Sequence, residues 1–446
     1  MSSSLLRTSV RLTGRLAVAS LTTFSSLRFA STSSHQQSQA TTKGSSAPAA
    51  INAQQPFVLI AEGTNIKEPS KKRSEDAFFT GEKAIGVADG VGGWAAHGID
   101  AVSFFSIRIE TTMRERLCIT NSFSPPPPSP PPTSYSSSSI FSSSSLKGDY
   151  ARALMSHVEE SIKLSVVKTG HVPDAAATLI KAHAAVRLPG SSTACIAVAR
   201  ADGILRVVNV GDSGLQVWKR NRPITSGVPL RLEEAARLWD MSATVPITTH
   251  KFNFPRQLAA QAEYSDTVAD HGAIADFPLK GGELLIAATD GIWDNLGDEA
   301  IRTVLSRFDF EPCHTLVRMA RARLTAGKEA VRVAAGIAAP ARFLSSIPNV
   351  VPEDVSDAAF AAKKHDCRAQ LLAMSTALAF AAQRVGKDPK AISPFAIAAK
   401  KEGLRFEGGK LDDATAVCAL VLPDDRAVLN DMNMEMDTNV HTSAAA

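Results

Sequence analysis

Apolar runs that end in aspartate recur along this chain. Ile85-Gly86-Val87-Ala88 leads into Asp89-Gly90, and Leu284-Leu285-Ile286-Ala287-Ala288-Thr289 leads into Asp290-Gly291. In each, a buried strand is expected to stop at a carboxylate, and glycine then frees the backbone to turn. The order is reversed at Asp412-Asp413, which precedes the run Ala414–Leu422, and at Glu75-Asp76, which precedes the short extended run Ala77–Thr80. A single Asp-Gly reads as an ordinary turn. Four acidic spots at strand ends point instead to a shared site, although spacing alone leaves their convergence open. Bare carboxylates gathered at one end of a sheet raise one another's pKa values. Hard divalent cations such as magnesium or manganese relieve that repulsion, because they take oxygen ligands. Two such cations about 3.5–4 Å apart share a carboxylate and acidify a water between them.

The elements that must position these acids can be read from the same runs. Strands are expected at Phe57–Ala61, Lys83–Ala88, Thr193–Ala199, Leu205–Val210, Leu215–Trp218, Glu283–Ala288 and Ala414–Leu422. Asp202-Gly203 is a hairpin turn of the type that needs positive φ. Helices are expected at Phe104–Cys118, Tyr150–Val167, Asp298–Phe308, Cys313–Leu324 and Ser356–Gln383. Strands cluster with hairpin-length links and helices come in blocks. This is the pattern of an α+β protein, with antiparallel sheets and helices packed outside, rather than of a doubly wound parallel sheet.

One domain is expected over residues 57–425, interrupted twice. Residues 121–147 are almost wholly Ser and Pro, a tract that buries too little apolar surface to offset its ordering entropy. About 330–358 lies an Ala-rich insert with Pro340, Pro348 and Pro352, and residues 426–446 read as a disordered tail. Residues 1–45 are Ser-rich and acid-free, with Arg7, Arg11 and Arg15 spaced to share one side of a helix and Leu5, Leu12 and Leu16 on another. That composition is expected of a disordered mitochondrial targeting presequence, with Arg28-Phe29-Ala30-Ser31 resembling a processing site.

Without the five cations of residues 1–61 the balance is 43 basic to 44 acidic residues, so no bulk attraction to nucleic acid is expected. No uncharged apolar run is long enough to span a bilayer. The five cysteines (118, 195, 313, 367, 418) form no CxxC pair, which argues against a zinc site or a disulfide framework and fits a reducing compartment.

The motifs, taken in order, resemble those of the type 2C, or PPM, family of metal-dependent protein serine/threonine phosphatases. They are Ser74-Glu75-Asp76-Ala77, Val87-Ala88-Asp89-Gly90-Val91-Gly92-Gly93, Ser191-Ser192-Thr193-Ala194, Val208-Asn209-Val210-Gly211-Asp212-Ser213-Gly214, Ala288-Thr289-Asp290-Gly291-Ile292-Trp293-Asp294 and Lys410-Leu411-Asp412-Asp413-Ala414-Thr415. Further stretches are similar to the family's mitochondrial subgroup: Gly90-Val91-Gly92-Gly93-Trp94, His250-Lys251-Phe252-Asn253-Phe254-Pro255, Ser393-Pro394-Phe395-Ala396 and Gly408-Gly409-Lys410.

The resemblance implies a four-layer αββα sandwich, with two Mg2+ or Mn2+ ions at one end. It implies Asp89 as the bridging ligand, Asp290 and Asp412 completing one site, and Glu75 with the Gly90 carbonyl completing the other. Asp76 would bond metal-held waters, and Asp212 and Asp294 match a weaker third site. The implied catalytic set is Asp89, Asp290 and Asp412, with Lys71 and Arg73 as candidate phosphate holders. Val91 stands where common members have a proton-donating histidine, and His97 is given no role.

The implied reaction is hydrolysis of phosphoserine or phosphothreonine by a water between the two cations, with no phosphoenzyme. The implied partners are phosphorylated proteins of the mitochondrial matrix, among them ubiquinone-synthesis enzymes or import machinery. A pseudophosphatase acting as a binding module is the alternative reading. An aspartyl-phosphate mechanism fails, because Val91 stands where its second aspartate would be.

Overall fold

Strand β1 (Phe57–Ile66) opens the fold, followed by β2 (Ala77–Thr80), β3 (Ala84–Ala88) and the helices α1 (Lys147–Thr169) and α2 (Ala175–Ala185). Next come β4 (Ser191–Ser192), β5 (Ala194–Ala199), β6 (Ile204–Val210), β7 (Gly214–Arg220) and β8 (Trp239–Thr244). The short strands β9 (Thr249–Lys251), β10 (Phe254–Pro255) and β11 (Leu258–Ala259) lead to α3 (Val268–His271), β12 (Ala273–Pro278) and β13 (Leu284–Ala288). The helices α4 (Asp290–Trp293), α5 (Asp298–Leu305), α6 (Glu311–Ala334), α7 (Asp357–Gly386) and α8 (Pro394–Lys401) precede the last strand, β14 (Ala414–Pro423). The computed structural model describes residues 56–90, 147–221, 235–334 and 356–425. All of them belong to one unit, Asn52–Ala446.

Two five-stranded antiparallel sheets form the centre, ordered β1-β14-β13-β7-β8 and β12-β6-β5-β3-β2. Alternation along each strand sorts its side chains between two cores. Leu59, Ile85, Val87, Cys195, Val207, Leu215, Leu285, Val417 and Val421 meet between the sheets. From the first sheet Ile60, Trp218, Ile286, Cys418 and Leu420 face α4 to α7. From the second, Phe79, Ala84, Ile196 and Val208 face α1 and α2. The result is the expected four-layer αββα sandwich. Strands buried on both faces explain why these sequences read as unbroken apolar runs.

The expected elements differ from the observed ones mainly at the rims. Strands β8 and β12 had no apolar run to announce them; both are outer strands with alternately exposed residues. Helices α2 and α8 were not anticipated from their short sequences, yet each carries a side-chain cap. Asp174 accepts from the Ala177 amide at 2.9 Å, and Ser393, followed by Pro394, accepts from Ala396 at 3.1 Å. Gly203 has φ +78°, as its turn requires. Helix α6 runs to Ala334 and α7 begins at Asp357, and residues 335–355 of the expected Ala/Pro insert lie outside the described residues. Residue 147 of the Ser/Pro insert already belongs to α1. The presequence, the helix expected at Phe104–Cys118, residues 121–146, the tail 426–446, and Val91 with His97 lie outside the described residues.

Candidate active site

Strand register brings the acidic positions to one end of the sandwich. In the second sheet Ala77 of β2 lies opposite Ala88 of β3, so Asp76 and Asp89 occupy the next positions out. In the first sheet Ala288 of β13 lies opposite both Ala416 of β14 and Gly214 of β7. Asp290 therefore leaves β13 beside Asp412 and Asp413, where the chain enters β14, and beside Asp212, where it enters β7. The Thr289 amide donates to the Thr415 carbonyl at 3.1 Å, carrying the ladder one rung further.

Each acid is held by its backbone. The Asp89 amide donates to Thr193 Oγ1 at 3.0 Å, and its carbonyl accepts from the Thr193 amide at 2.9 Å and from Ser192 Oγ at 2.8 Å. The Gly90 amide donates to the Glu75 carbonyl at 3.3 Å, joining the two acidic segments of the second sheet. Gln383 of α7 donates to the Asp412 carbonyl. Asp413, only 1% exposed, accepts from the Glu68 amide at 2.6 Å and from the Glu75 amide at 2.7 Å, which fixes the loop that delivers Glu75. Asp290 opens α4 and is followed by Gly291, whose added Cβ would stand 1.8 Å from the Asp413 carbonyl oxygen. Only glycine permits that approach of α4 to the entry of β14.

The electrostatics are those of crowded carboxylates. Burial first, then the charges of Asp76, Asp290, Asp412 and Asp212, push Asp89 well above the ordinary carboxylate range. Asp76 is raised to about 8 by burial and by Asp413, and Asp212 to about 8 by burial and by Asp290. Asp294 is raised to about 6 by burial, against the pull of Lys410. Asp412 is also raised, by burial and by Asp290. Asp290 goes the other way: burial opposes its charge, but the Lys410 ammonium outweighs burial and holds it low.

Two lysines stand among these acids. Lys71 Nζ lies 3.0 Å from Asp412, 3.0 Å from Asp413 and 3.1 Å from Glu75. Lys410 Nζ lies 2.5 Å from Asp290 and 2.7 Å from Asp294, and 5.1 Å from the centre of the Phe395 ring. The Lys410 backbone is held on both sides by the buried Asn295, which accepts from its amide at 3.0 Å and donates to its carbonyl at 2.7 Å.

The structure therefore brings together Glu75, Asp76, Asp89, Gly90, Asp212, Asp290, Asp294, Asp412 and Lys71. Arg73 is not drawn in. Its side chain is 65% exposed and pairs with Asp149 of α1 at 3.1 Å. Asp76, expected to bond water, accepts from Thr289 Oγ1 at 2.8 Å. Lys410, Asn295 and Asp413 were given no role in the sequence reading. Lys410 and Asp413 stood inside quoted motifs, but nothing in a sequence tells which way a charge will point.

Among the described residues, no three His, Cys, Asp or Glu side chains are arranged to hold a metal ion as they stand. The donor chemistry nevertheless fits hard divalent cations. It is all oxygen and over-supplied with negative charge, and the buried Asp212 Oδ1 has no hydrogen-bond partner. The lysine ammoniums take part of the compensating role.

Comparison with known proteins follows that geometry. The chain is 27% identical over 367 residues to probable protein phosphatase 2C 80 of Arabidopsis thaliana, covering 81% of this chain and 58% of the relative. It is 27% identical over 273 residues to protein phosphatase PTC7 homolog fig of Drosophila ananassae, covering 57% and 64%. Both relatives are named as protein phosphatases. The first is named as a type 2C phosphatase. The chain spans less than two thirds of the length of either. The X-ray structure of the photosystem II phosphatase PBCP overlaps 81% of this chain and 98% of its own, at 22% identity and a TM-score of 0.46. No family model matches the chain.

Proposed function

We propose that this chain is a metal-dependent protein serine/threonine phosphatase of the type 2C family that forms no phosphoenzyme. The observation that carries the reading is the meeting of Glu75, Asp89, Asp290 and Asp412 at one end of the two sheets. The names of the relatives support it. Glu75, Asp89, Asp290 and Asp412, with Gly90, are the residues that would hold two Mg2+ or Mn2+ ions, and Asp212 and Asp294 those for a weaker third. When bound, such cations acidify a water and neutralise charge on the phosphoryl oxygens.

The rest falls to the chain's own groups. Asp413 fixes the loop that presents Glu75, and Thr289 fixes the buried Asp76 behind Asp89. Asn295 and the Phe395 ring hold Lys410 so that its ammonium orients Asp290 and Asp294. Lys71 is the candidate to meet a phosphoryl oxygen, a reading supported by its place among Glu75, Asp412 and Asp413.

The full chain should cleave p-nitrophenyl phosphate and a phosphothreonine peptide with Mn2+, and stop with EDTA. Asp290→Asn should lose at least about 100-fold in kcat while keeping its circular dichroism spectrum. Turnover that survives chelation sinks the metal mechanism.

The same reading puts the protein in the mitochondrial matrix, acting on phosphorylated proteins there; ubiquinone-synthesis enzymes and import machinery are the classes the resemblance offers. The acid-free, arginine-spaced residues 1–45 support it. Fused to a fluorescent protein, that segment should colocalise with a mitochondrial dye, and a diffuse cytosolic signal would remove the assignment.

A further inference from the structure

Helices α6 and α7 face each other through two cysteines. Cys313 Sγ and Cys367 Sγ lie 2.7 Å apart, closer than two non-bonded sulfurs rest and within a small shift of the ~2.05 Å disulfide bond. Both residues are fully buried in the core that joins the first sheet to its helices. The other described cysteines, Cys195 on β5 and Cys418 on β14, are buried on separate strands. The pair is 54 residues apart in sequence, so a bond between them closes a long loop.

We propose that Cys313 and Cys367 are a disulfide-forming pair that locks α7 to α6 when the protein meets a peroxide. In the closed fold both thiols are shielded. Cys313 is the third residue of α6, and an opening of that turn, with Phe310 and Leu316 leaving the core, is the motion that admits the peroxide. One thiol then gives up its proton and attacks hydrogen peroxide: the S–O bond forms as the O–O bond breaks, and the departing hydroxide takes up that proton and leaves as water. The second thiol likewise gives up its proton and attacks the sulfenic sulfur: the S–S bond forms as the S–O bond breaks, and the departing hydroxide takes up that proton as a second water. Two thiol protons and two electrons pass to one peroxide, and a dithiol reductant reverses the change. The lock acts on α7, which near its far end carries Gln383, the donor to the Asp412 carbonyl. It narrows the motion of one support of the acidic site without touching an acid.

The test uses the full chain, fully reduced and then exposed to hydrogen peroxide, with remaining thiols blocked under denaturing conditions and peptides mapped without reduction. The expected product is a linked pair of peptides holding Cys313 and Cys367, two hydrogens lighter than the separate peptides and separated again by dithiothreitol. Its Tm should exceed that of the reduced protein by several degrees. Cys367→Ser should abolish both the link and the Tm gain, whereas Cys195→Ser should keep them. Absence of the linked peptide, or a link with no change in Tm, overturns the proposal. If Cys367→Ser fails to fold, the mapping and the Tm comparison on the unaltered chain decide the matter alone.

Discussion

At the scale of single residues, the site is built as much by neutral and cationic neighbours as by its acids. Asn295 holds both the amide and the carbonyl of Lys410 and also donates to the Gly291 carbonyl at 2.9 Å. Asn295→Ala leaves those buried groups unpaired, and should cost about 1–3 kcal/mol in a urea titration as well as lowering kcat. A variant with normal kcat would show that Lys410 needs no such clamp. Asp266 makes a second test, away from the acids. Burial opposes its charge, but Arg256 at 2.7 Å, the Gln257 amide at 2.9 Å and His250 at 3.0 Å hold it below the ordinary carboxylate range. A depressed carboxylate stabilises the fold above its unfolded pKa, and that contribution is lost as pH falls through its folded pKa. Tm should therefore fall on acidification below about pH 4, and Asp266→Asn should lower Tm at pH 7 while flattening that fall. Glu75, Asp89, Asp290 and Asp412 were legible because each stands beside an apolar run. Asn295 and Lys410 were not, since their roles depend on where α4 and the β14 approach meet.

At the scale of elements, legibility followed burial. The inner strands β3, β5, β13 and β14 were visible as apolar runs, and β6 and β7 as apolar runs interrupted by Arg206, Asn209 and Gln216, with ends within a few residues of those observed. Edge strands β8 and β12 expose every second residue and carry polar side chains, so no run marked them. Register, which decides whether the acids meet, is a property of paired strands and is written in neither alone. At Gly291, α4 approaches the entry of β14 so closely that an added Cβ would meet the Asp413 carbonyl oxygen. Gly291→Ala should force them apart, at about 1–3 kcal/mol for the overpacking. The loss of Mn2+ affinity by calorimetry should be larger than that penalty alone, because Asp290 and Asp412 move relative to each other. Unchanged affinity would mean that the two acids do not share an ion.

At the scale of the molecule, the layers share one interior. Ile85 is fully buried between the sheets, and Ile85→Ala should cost about 2–5 kcal/mol, a loss that urea unfolding would measure directly. A loss under about 1 kcal/mol would argue against tight packing between the sheets. The order β1-β14-β13 has a further consequence for how the molecule is made. Strand β1 is among the first described segments to leave the ribosome, yet its one partner in the sheet, β14, is the last described strand to do so. Throughout translation the apolar stretch Phe57–Ala61 has no edge to join, and it is a natural client for a chaperone. Asp412 arrives with the same late segment. The nascent chain thus stays without its full acidic cluster until that segment has been made, and no fragment that ends before it can acquire one.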